Sequence, residues 1–178
     1  HKDGRWNDVI DDGVIGTHVI FPKEAKMASI EGGIVIPLGK DKKQMAVFYP
    51  RGLNFIYYSH NCTGKYDAFR WGTSKGYSLT GPMAAKTNNK VPAKGKYNGY
   101  FQSNGNIIFS YKVNETEVLD MVKSGHASSI DRTIQFLNQT DHFEVLISES
   151  AKIKENKGNK IILENGTKIQ VFSNAQFA

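Results

Sequence analysis

The sequence contains a single cysteine, Cys62, which excludes an internal disulfide bond and any metal site built from several cysteines. It has no C-x-x-C-H motif, so this chain cannot attach a c-type haem. No run of about 18 apolar residues occurs, so we expect no segment to span a membrane. The chain begins at His1, with neither methionine nor signal peptide, which we interpret as a trimmed or mature protein.

Several catalytic signatures are also missing. The histidines show no H-x-H or H-E-x-x-H spacing, which gives a zinc site little support. No glycine-rich phosphate loop leads into a helix, and there is no G-x-S-x-G elbow. His60 and Cys62 are two residues apart and could form a Cys-His nucleophile pair, but their turn-like surroundings favour a structural cysteine or a free thiol.

The clearest pattern that is present lies between Tyr97 and Met121. Asn104-Gly105 separates two apolar-rich runs, and both residues tolerate the positive φ of a type I′ hairpin turn. After the turn, apolar and polar residues alternate from 107 to 113, which is the pattern of a strand with one buried face. Counting back from the turn places Tyr100 opposite Phe109.

A second chain reversal is predicted near Asn114-Glu115. It would bring Val118 towards Tyr111 and Glu117 towards Lys112, with Lys112 and Glu117 as an ion pair. The segment is therefore predicted to be a three-stranded meander, around which we expect the rest of the chain to pack.

Similar patterns recur along the chain, while helical periodicity is almost absent. Further strands are predicted at 14–21, 34–38, 45–49, 53–58, 130–137, 143–148, 160–163 and 168–172, and one helical turn at 23–28. The stretch 59–96 is too long for an ordinary connection and is interpreted as a structured excursion or a functional loop. About ten strands with little helix predict an all-β fold, a two-layer antiparallel β-sandwich or jelly roll, as a single domain over residues 1–178.

The net charge of +6 could attract an acidic polysaccharide, a nucleic acid or an anionic surface. The lysines are scattered, however, which favours an ordinary soluble protein with lysine-covered loops. Aromatic and basic residues interleave only weakly near Tyr58 and Arg70, so we do not expect nucleic-acid binding.

Several motifs together resemble a known family. They are RWND, GGIVIPLG, AVFYPRGLNFIYYS, YNGYFQSNGNIIFSYKVNETEVLD, SSIDRTIQFLN and FEVLISES, with the strongest similarity between Gly99 and Leu119. They resemble a bacterial domain family of unknown function that precedes propeller-type sugar dehydrogenase-like domains and c-type cytochrome modules in exported proteins. The resemblance implies a periplasmic or secreted β module cut from a larger protein, with a propeller or cytochrome domain downstream in the same polypeptide. The family supplies no catalytic residues.

Aromatic residues in loop-like segments are the main candidates for a binding surface. Tryptophan and tyrosine can stack on sugar rings, flanked by polar residues that bind hydroxyl groups; the alternative is that they seal the ends of the core. The predicted ligand-binding residues are Trp6, Asp8, Arg51, Tyr58, His60, Asp67, Arg70, Trp71 and Tyr77.

The carboxylates give weaker indications of a functional site than the aromatic residues do. Glycoside hydrolysis needs two facing carboxyl groups, whereas Glu115 and Glu117 sit at a turn. Asp8, Asp11 and Asp12 could bind Ca²⁺, although their spacing is not that of an EF-hand. We therefore expect no cofactor beyond a possible Ca²⁺ and no catalytic residues.

The leading hypothesis is a non-catalytic accessory module that binds a polysaccharide or docks a neighbouring catalytic or redox domain. The alternatives are a small β-sandwich carbohydrate-active enzyme, such as a glycosidase or lyase, and a purely structural interaction domain. An exposed apolar patch without a groove would favour the last of these.

Overall fold

The computed structural model of the protein describes residues 10–11, 14–16, 19–22, 29–66, 76–86, 94–126, 129–138, 145–147, 152–164, 166–170 and 172. These residues form seventeen strands in four sheets and contain no α-helix. The prediction of an all-β sandwich is confirmed, with more and shorter strands than the ten expected.

The largest sheet, here the central sheet, has six strands in the order β1-β2-β5-β6-β7-β10. All its pairings are antiparallel. Its strands are β1 (Ile10–Asp11), β2 (Val14–Gly16), β5 (Ile34–Leu38), β6 (Gln44–Tyr49), β7 (Asn54–Ser59) and β10 (Met83–Lys86).

Two four-stranded sheets accompany it. The front sheet is an antiparallel meander of β11 (Gly95–Ser103), β12 (Asn106–Val113), β13 (Thr116–Ser124) and β14 (Ile130–Phe136). The back sheet has the order β4-β3-β9-β8, with β3 (Val19–Pro22), β4 (Ile30–Glu31), β8 (Thr63–Tyr66) and β9 (Tyr77–Thr80). Strands β3 and β9 pair in parallel.

A small antiparallel sheet follows near the end of the described chain. It contains β15 (Ile153–Lys157), β16 (Lys160–Leu163) and β17 (Lys168–Gln170). The hairpin predicted around Glu164 and Gly166 is confirmed, because β16 pairs with β17.

The predicted meander is the framework of the front sheet. Asn104 and Gly105 have φ of 52° and 75°, as a type I′ turn requires. Tyr100 lies opposite Phe109, as the residue count predicted. Consecutive strands pair throughout this sheet, which is the connectivity of a meander rather than the crossed connections of a jelly roll.

The second reversal also has the predicted register, with Tyr111 opposite Val118 and Lys112 opposite Glu117. The predicted ion pair is wrong, however. The Nζ of Lys112 bonds instead to Oε2 of Glu115 in the intervening turn at 2.8 Å.

The front core fills the space between the central and front sheets. Its buried residues include Phe48 and Phe55 of the central sheet and Phe109 and Tyr111 of the front sheet. The rings of Phe48 and Phe109 stack with centroids 4.0 Å apart, and Phe55 meets Phe109 edge-on at 5.5 Å. Aromatic pairing across the two layers therefore fixes their relative position.

A second core, the back core, lies on the opposite face of the central sheet. Val47 and Ile56 of that sheet pack with Ile20, Ile30 and other buried residues of the back sheet. Every residue of β6 is buried, because both of its faces are covered. The expected two layers are thus a front and a central sheet, with a third layer behind them.

Some predicted strands differ from the observed ones. Residues 14–21 do not form one strand: β2 joins the central sheet and β3 joins the back sheet. Residues 145–147 are not in a strand; the carbonyl of Leu146 accepts a bond from Nδ2 of Asn54 at 2.9 Å instead of joining a ladder. The stretch 59–96 contains β8, β9 and β10, and is therefore a structured excursion, while the predicted helical turn at 23–28 lies outside the described residues.

Candidate functional site

A group of polar side chains is enclosed between the central and front sheets. Asp120 is fully buried, and its two oxygens accept bonds from Nε of Arg132 at 2.9 Å and Nη2 of Arg132 at 2.5 Å. The hydroxyl of Tyr111 donates to Oδ2 of Asp120 at 2.9 Å. Arg132 also donates to the hydroxyl of Tyr58 at 3.3 Å and to Oδ1 of Asn54 at 2.9 Å. We refer to these five residues as the polar cluster.

The strand register explains how the cluster assembles. Asp120 lies on β13 between the inward-facing Val118 and Val122, and Val122 is directly opposite Arg132 on β14. Asp120 and Arg132 are therefore diagonal neighbours on one face of the sheet, within reach of a long side chain. Tyr58 and Asn54 come from β7 in the central sheet, so Arg132 bonds the two layers to each other.

The guanidinium is also held by an aromatic ring. Its Cζ lies 5.1 Å from the centroid of Phe55, and only 12% of the Arg132 side chain is exposed. The fork-shaped, two-bond contact with Asp120 is one that lysine cannot make.

The ionisation of the cluster reflects this enclosure. Burial is the largest single influence and opposes the charge on Arg132, but the charge and hydrogen bonds of Asp120, with smaller contributions from Tyr58 and Tyr111, together raise the pKa of Arg132 above its ordinary value. Burial raises the pKa of Tyr58 to about 12, although the charge of Arg132 offsets part of that shift. Burial and then the charge of Asp120 raise the pKa of Tyr111 far above 10. Both phenols therefore stay neutral around Asp120 and Arg132 at physiological pH.

A second polar contact lies at one end of the central sheet. The buried Gln44 places Nε2 3.4 Å from Nδ1 of His60 and donates to the carbonyl of Ser129 at 3.3 Å. Burial lowers the pKa of His60, which favours the neutral ring that can accept this bond. Oε1 of Gln44 is buried with no hydrogen-bond partner among the described residues. This contact ties the loop before β14 to the central sheet.

The predicted ligand-binding residues do not come together in the described part of the chain. Tyr58 is 7% exposed and belongs to the front core, and Tyr77 is 8% exposed and belongs to the back core. Neither ring offers a face on which a sugar could stack, so the surface role predicted for them is corrected to a core role. Arg51 is exposed in the turn before β7, and His60 is half-buried beside Gln44. Trp6, Asp8, Asp67, Arg70 and Trp71 lie outside the described residues.

Metal-ligand groups and membrane-spanning helices are two further features that bear on function. No group of three His, Cys, Asp or Glu side chains in this part of the chain could hold a metal ion. Asp8 and Asp12 are outside it, so the Ca²⁺ hypothesis stays a prediction. The same residues include no helix long and apolar enough to cross a membrane. Cys62 is buried in the back core, in agreement with the structural cysteine favoured over a nucleophile.

The outer face of the front sheet carries a line of apolar side chains. Phe101 lies opposite Ile108, and Ile108 lies opposite Met121, so the three form one row across β11, β12 and β13. Leu119 adjoins this row on β13. Phe101 is 45% exposed and the other three are half-buried. We call these four residues the outer strip.

Polar residues border the outer strip on both sides. Lys112 lies opposite Glu117 at one side, and Lys123 lies opposite Asp131 at the other. An apolar centre with a rim of mixed charge is the usual anatomy of a protein–protein interface.

Sequence reasoning missed Asp120 and Arg132. The signal was present: both are charged residues at positions where the alternation of β13 and β14 points inwards, between Val118 and Val122 and between Ile130 and Ile134. A charge at such a position requires a buried partner.

Comparison with known proteins gives no match to any protein-family model, curated protein or solved structure. The family resemblance centred on residues 99–119 therefore stays a prediction.

Proposed function

We propose that this chain is a non-catalytic accessory module that docks another protein domain through the outer strip. The observation that carries the proposal is the row of Phe101, Ile108 and Met121 on a sheet face that projects away from the front core. Apolar rows that stay partly exposed, as this one does, mark interaction surfaces because their contact with water is unfavourable.

The composition of the strip favours a protein over a sugar as the ligand. Sugar rings stack on flat aromatic faces and need nearby groups that bind hydroxyls. The strip instead has the aliphatic side chains of Ile108, Leu119 and Met121 at its centre, with Phe101 at one end. Such a surface is suited to the apolar side chains of a protein partner.

The polar cluster supports a structural rather than a catalytic interior. Asp120 accepts bonds from both Arg132 and Tyr111, so its oxygens are already committed to holding the two sheets. A carboxylate used in glycoside hydrolysis must instead face the substrate across a groove. The domain that the family resemblance implies, an exported propeller or cytochrome module, is the first partner to test.

The test places a photo-reactive benzoylphenylalanine at Ser110, which lies opposite Leu119, and at the exposed Lys168 of the small sheet as a control. Irradiation in extracts of the source cells should give one defined protein adduct from position 110 and none from position 168. The captured partner is then purified, and its affinity for the wild-type chain and for Leu119→Lys is measured. The variant should bind at least about tenfold more weakly, since a buried charge opposes docking.

Identical adducts from both positions, or undiminished binding by Leu119→Lys, would contradict the proposal. Retention of the wild type on a polysaccharide in affinity electrophoresis, unaffected by Leu119→Lys, would support carbohydrate binding instead.

A further inference from the structure

Strand β11 forms one edge of the front sheet. It is nine residues long and, among the described residues, pairs only with β12. Its register with β12 shifts between Tyr97 and Gly99, so a bulge at Asn98 interrupts it. The regular part of the edge therefore runs from residue 99 to the turn at Asn104. Such an edge is a template for another strand.

The hairpin turn determines which backbone groups of β11 point away from β12. In a two-residue type I′ hairpin the flanking residues, here Ser103 and Asn106, form a hydrogen-bonded pair. Pairs then alternate along the ladder, so Phe101 bonds to β12 whereas Gln102 and Tyr100 turn their N–H and C=O groups away from it. The outward-facing groups are thus spaced two residues apart, on either side of Phe101.

We propose that β11 pairs antiparallel with β11 of a second copy of this chain, with Phe101 opposite Phe101 on a twofold axis. In this register Tyr100 of each copy lies opposite Gln102 of the other, and each such pair exchanges both N–H···O bonds. Gly99 lies opposite Ser103, so the pairing uses the regular segment and stops where the bulge and the turn begin. An isologous contact of this type satisfies both edges at once.

The side chains fit the same register. Phe101 is 45% exposed on the outer face, and self-pairing brings the two rings side by side, where cross-strand aromatic pairs are favourable. Tyr100, on the inner face, is 36% exposed, so the central sheet does not cover the edge at this position. Residues 99–103 carry no charge, so no like charges oppose each other within the paired segment.

This inference is independent of the proposed docking function because it depends on backbone groups of β11 and needs no other protein. If both hold, pairing joins the two outer strips through Phe101 into one continuous surface. A monomeric protein that still binds its partner would overturn only the inference, and a dimer that binds nothing would overturn only the docking function.

Disulfide trapping tests the register directly. Facing residues of a non-hydrogen-bonded pair have Cα atoms about 4.5 Å apart, which suits a disulfide. Phe101→Cys should therefore form a covalent dimer under mild oxidation. In Ser103→Cys the two new cysteines would be four residues out of register, about 13 Å apart, and should not cross-link. Equal cross-linking of the two variants, or none in either, would overturn the proposal.

Sedimentation equilibrium tests the uncrosslinked protein. The short contact should give a weak dimer, populated from about 10 µM upwards. Gln102→Pro, which removes one outward N–H, should weaken it at least about tenfold, whereas Gln102→Ala keeps the N–H and should not. Circular dichroism spectra matching the wild type show that Gln102→Pro still folds. A wild type that stays monomeric at about 1 mM, or equal dimer constants for the two variants, would refute β11 self-pairing.

Discussion

At the scale of single residues, the pairing of Arg132 with Asp120 decides how the two layers are joined. Each partner compensates the charge of the other in a buried site, where an unpaired charge would cost much free energy. Replacing such a pair by apolar residues is often neutral, whereas removing one member leaves a buried charge without compensation. The pair is thus a requirement for the correct arrangement of the sheets more than a source of net stability.

Arg132→Met should therefore lower the free energy of unfolding by about 3–5 kcal/mol, because Asp120 loses both guanidinium bonds. The double variant Asp120→Leu/Arg132→Met should recover much of that loss. Urea unfolding measures both. Lys112→Met, which removes an exposed ion pair with Glu115, is the matched control and should change little. A double variant less stable than Arg132→Met would contradict this account.

The phenol of Tyr58 predicts how stability responds to alkaline pH. The folded-state pKa of about 12 exceeds the unfolded value of 10, so between these values the unfolded chain releases a proton that the folded chain retains. The contribution of the Tyr58 phenol to the free energy of unfolding is fully present below pH 10 and is lost as the pH rises through about 12. Urea unfolding from about pH 9 to pH 12 should show that the free energy of unfolding of the wild type declines with pH. The decline should be less steep in Tyr58→Phe. Parallel curves would contradict the prediction.

At the scale of elements, close contacts between neighbouring strands limit which side chains each strand can accommodate. Gly64 of β8 lies opposite Leu79 of β9, and the ring of Tyr77 occupies the space where a Cβ at position 64 would project. Only glycine leaves room for the ring of Tyr77 at this position. This close contact packs β8 against β9 in the back sheet.

Gly64→Ala should therefore destabilise the protein by about 1–3 kcal/mol, because the methyl group displaces the Tyr77 ring from the back core. In the double variant Gly64→Ala/Tyr77→Leu, the smaller side chain at position 77 leaves room for the methyl group. Gly64→Ala should therefore lower the free energy of unfolding by less in the presence of Tyr77→Leu than it does in the wild type. Chemical denaturation of the two single variants and the double variant gives the coupling energy between the positions. Strict additivity would show that the two side chains do not compete for the same space.

At the scale of the whole molecule, the central sheet is covered on both faces. Ala46 and Phe48 of β6 face the front core, while Met45 and Val47 of the same strand face the back core. Strands β5 and β7 flank β6 and satisfy its backbone on both edges. Its amide groups are consequently shielded from water on both faces and at both edges of the strand.

Hydrogen exchange should show that the strands of the central sheet are better protected than the edge strand of the front sheet. Amides of β6 and β7 should exchange last, at rates set by global unfolding, whereas amides of the edge strand β11 should exchange by local opening. Mass spectrometry of peptides covering 44–59 and 95–103 measures the difference. Protection of β11 equal to that of β6 at micromolar protein concentration would contradict it.

Much of the front sheet was predictable from the sequence. Asn104-Gly105 specifies the hairpin because both residues accept positive φ, and alternation from 107 to 113 specifies the buried face. With the turn and the period known, the pairs Tyr100–Phe109 and Tyr111–Val118 follow by counting. These features depend on neighbours close in sequence.

The tertiary structure alone decided which aromatic residues are covered and what lies behind the central sheet. Tyr58 and Tyr77 looked like surface residues because the sequence cannot show that a third layer and a buried arginine enclose them. Arg132 meets Tyr58 across 74 positions of the chain. The sequence by itself determined turns and strand faces, which are local, whereas burial depends on distant segments that meet only in the folded chain.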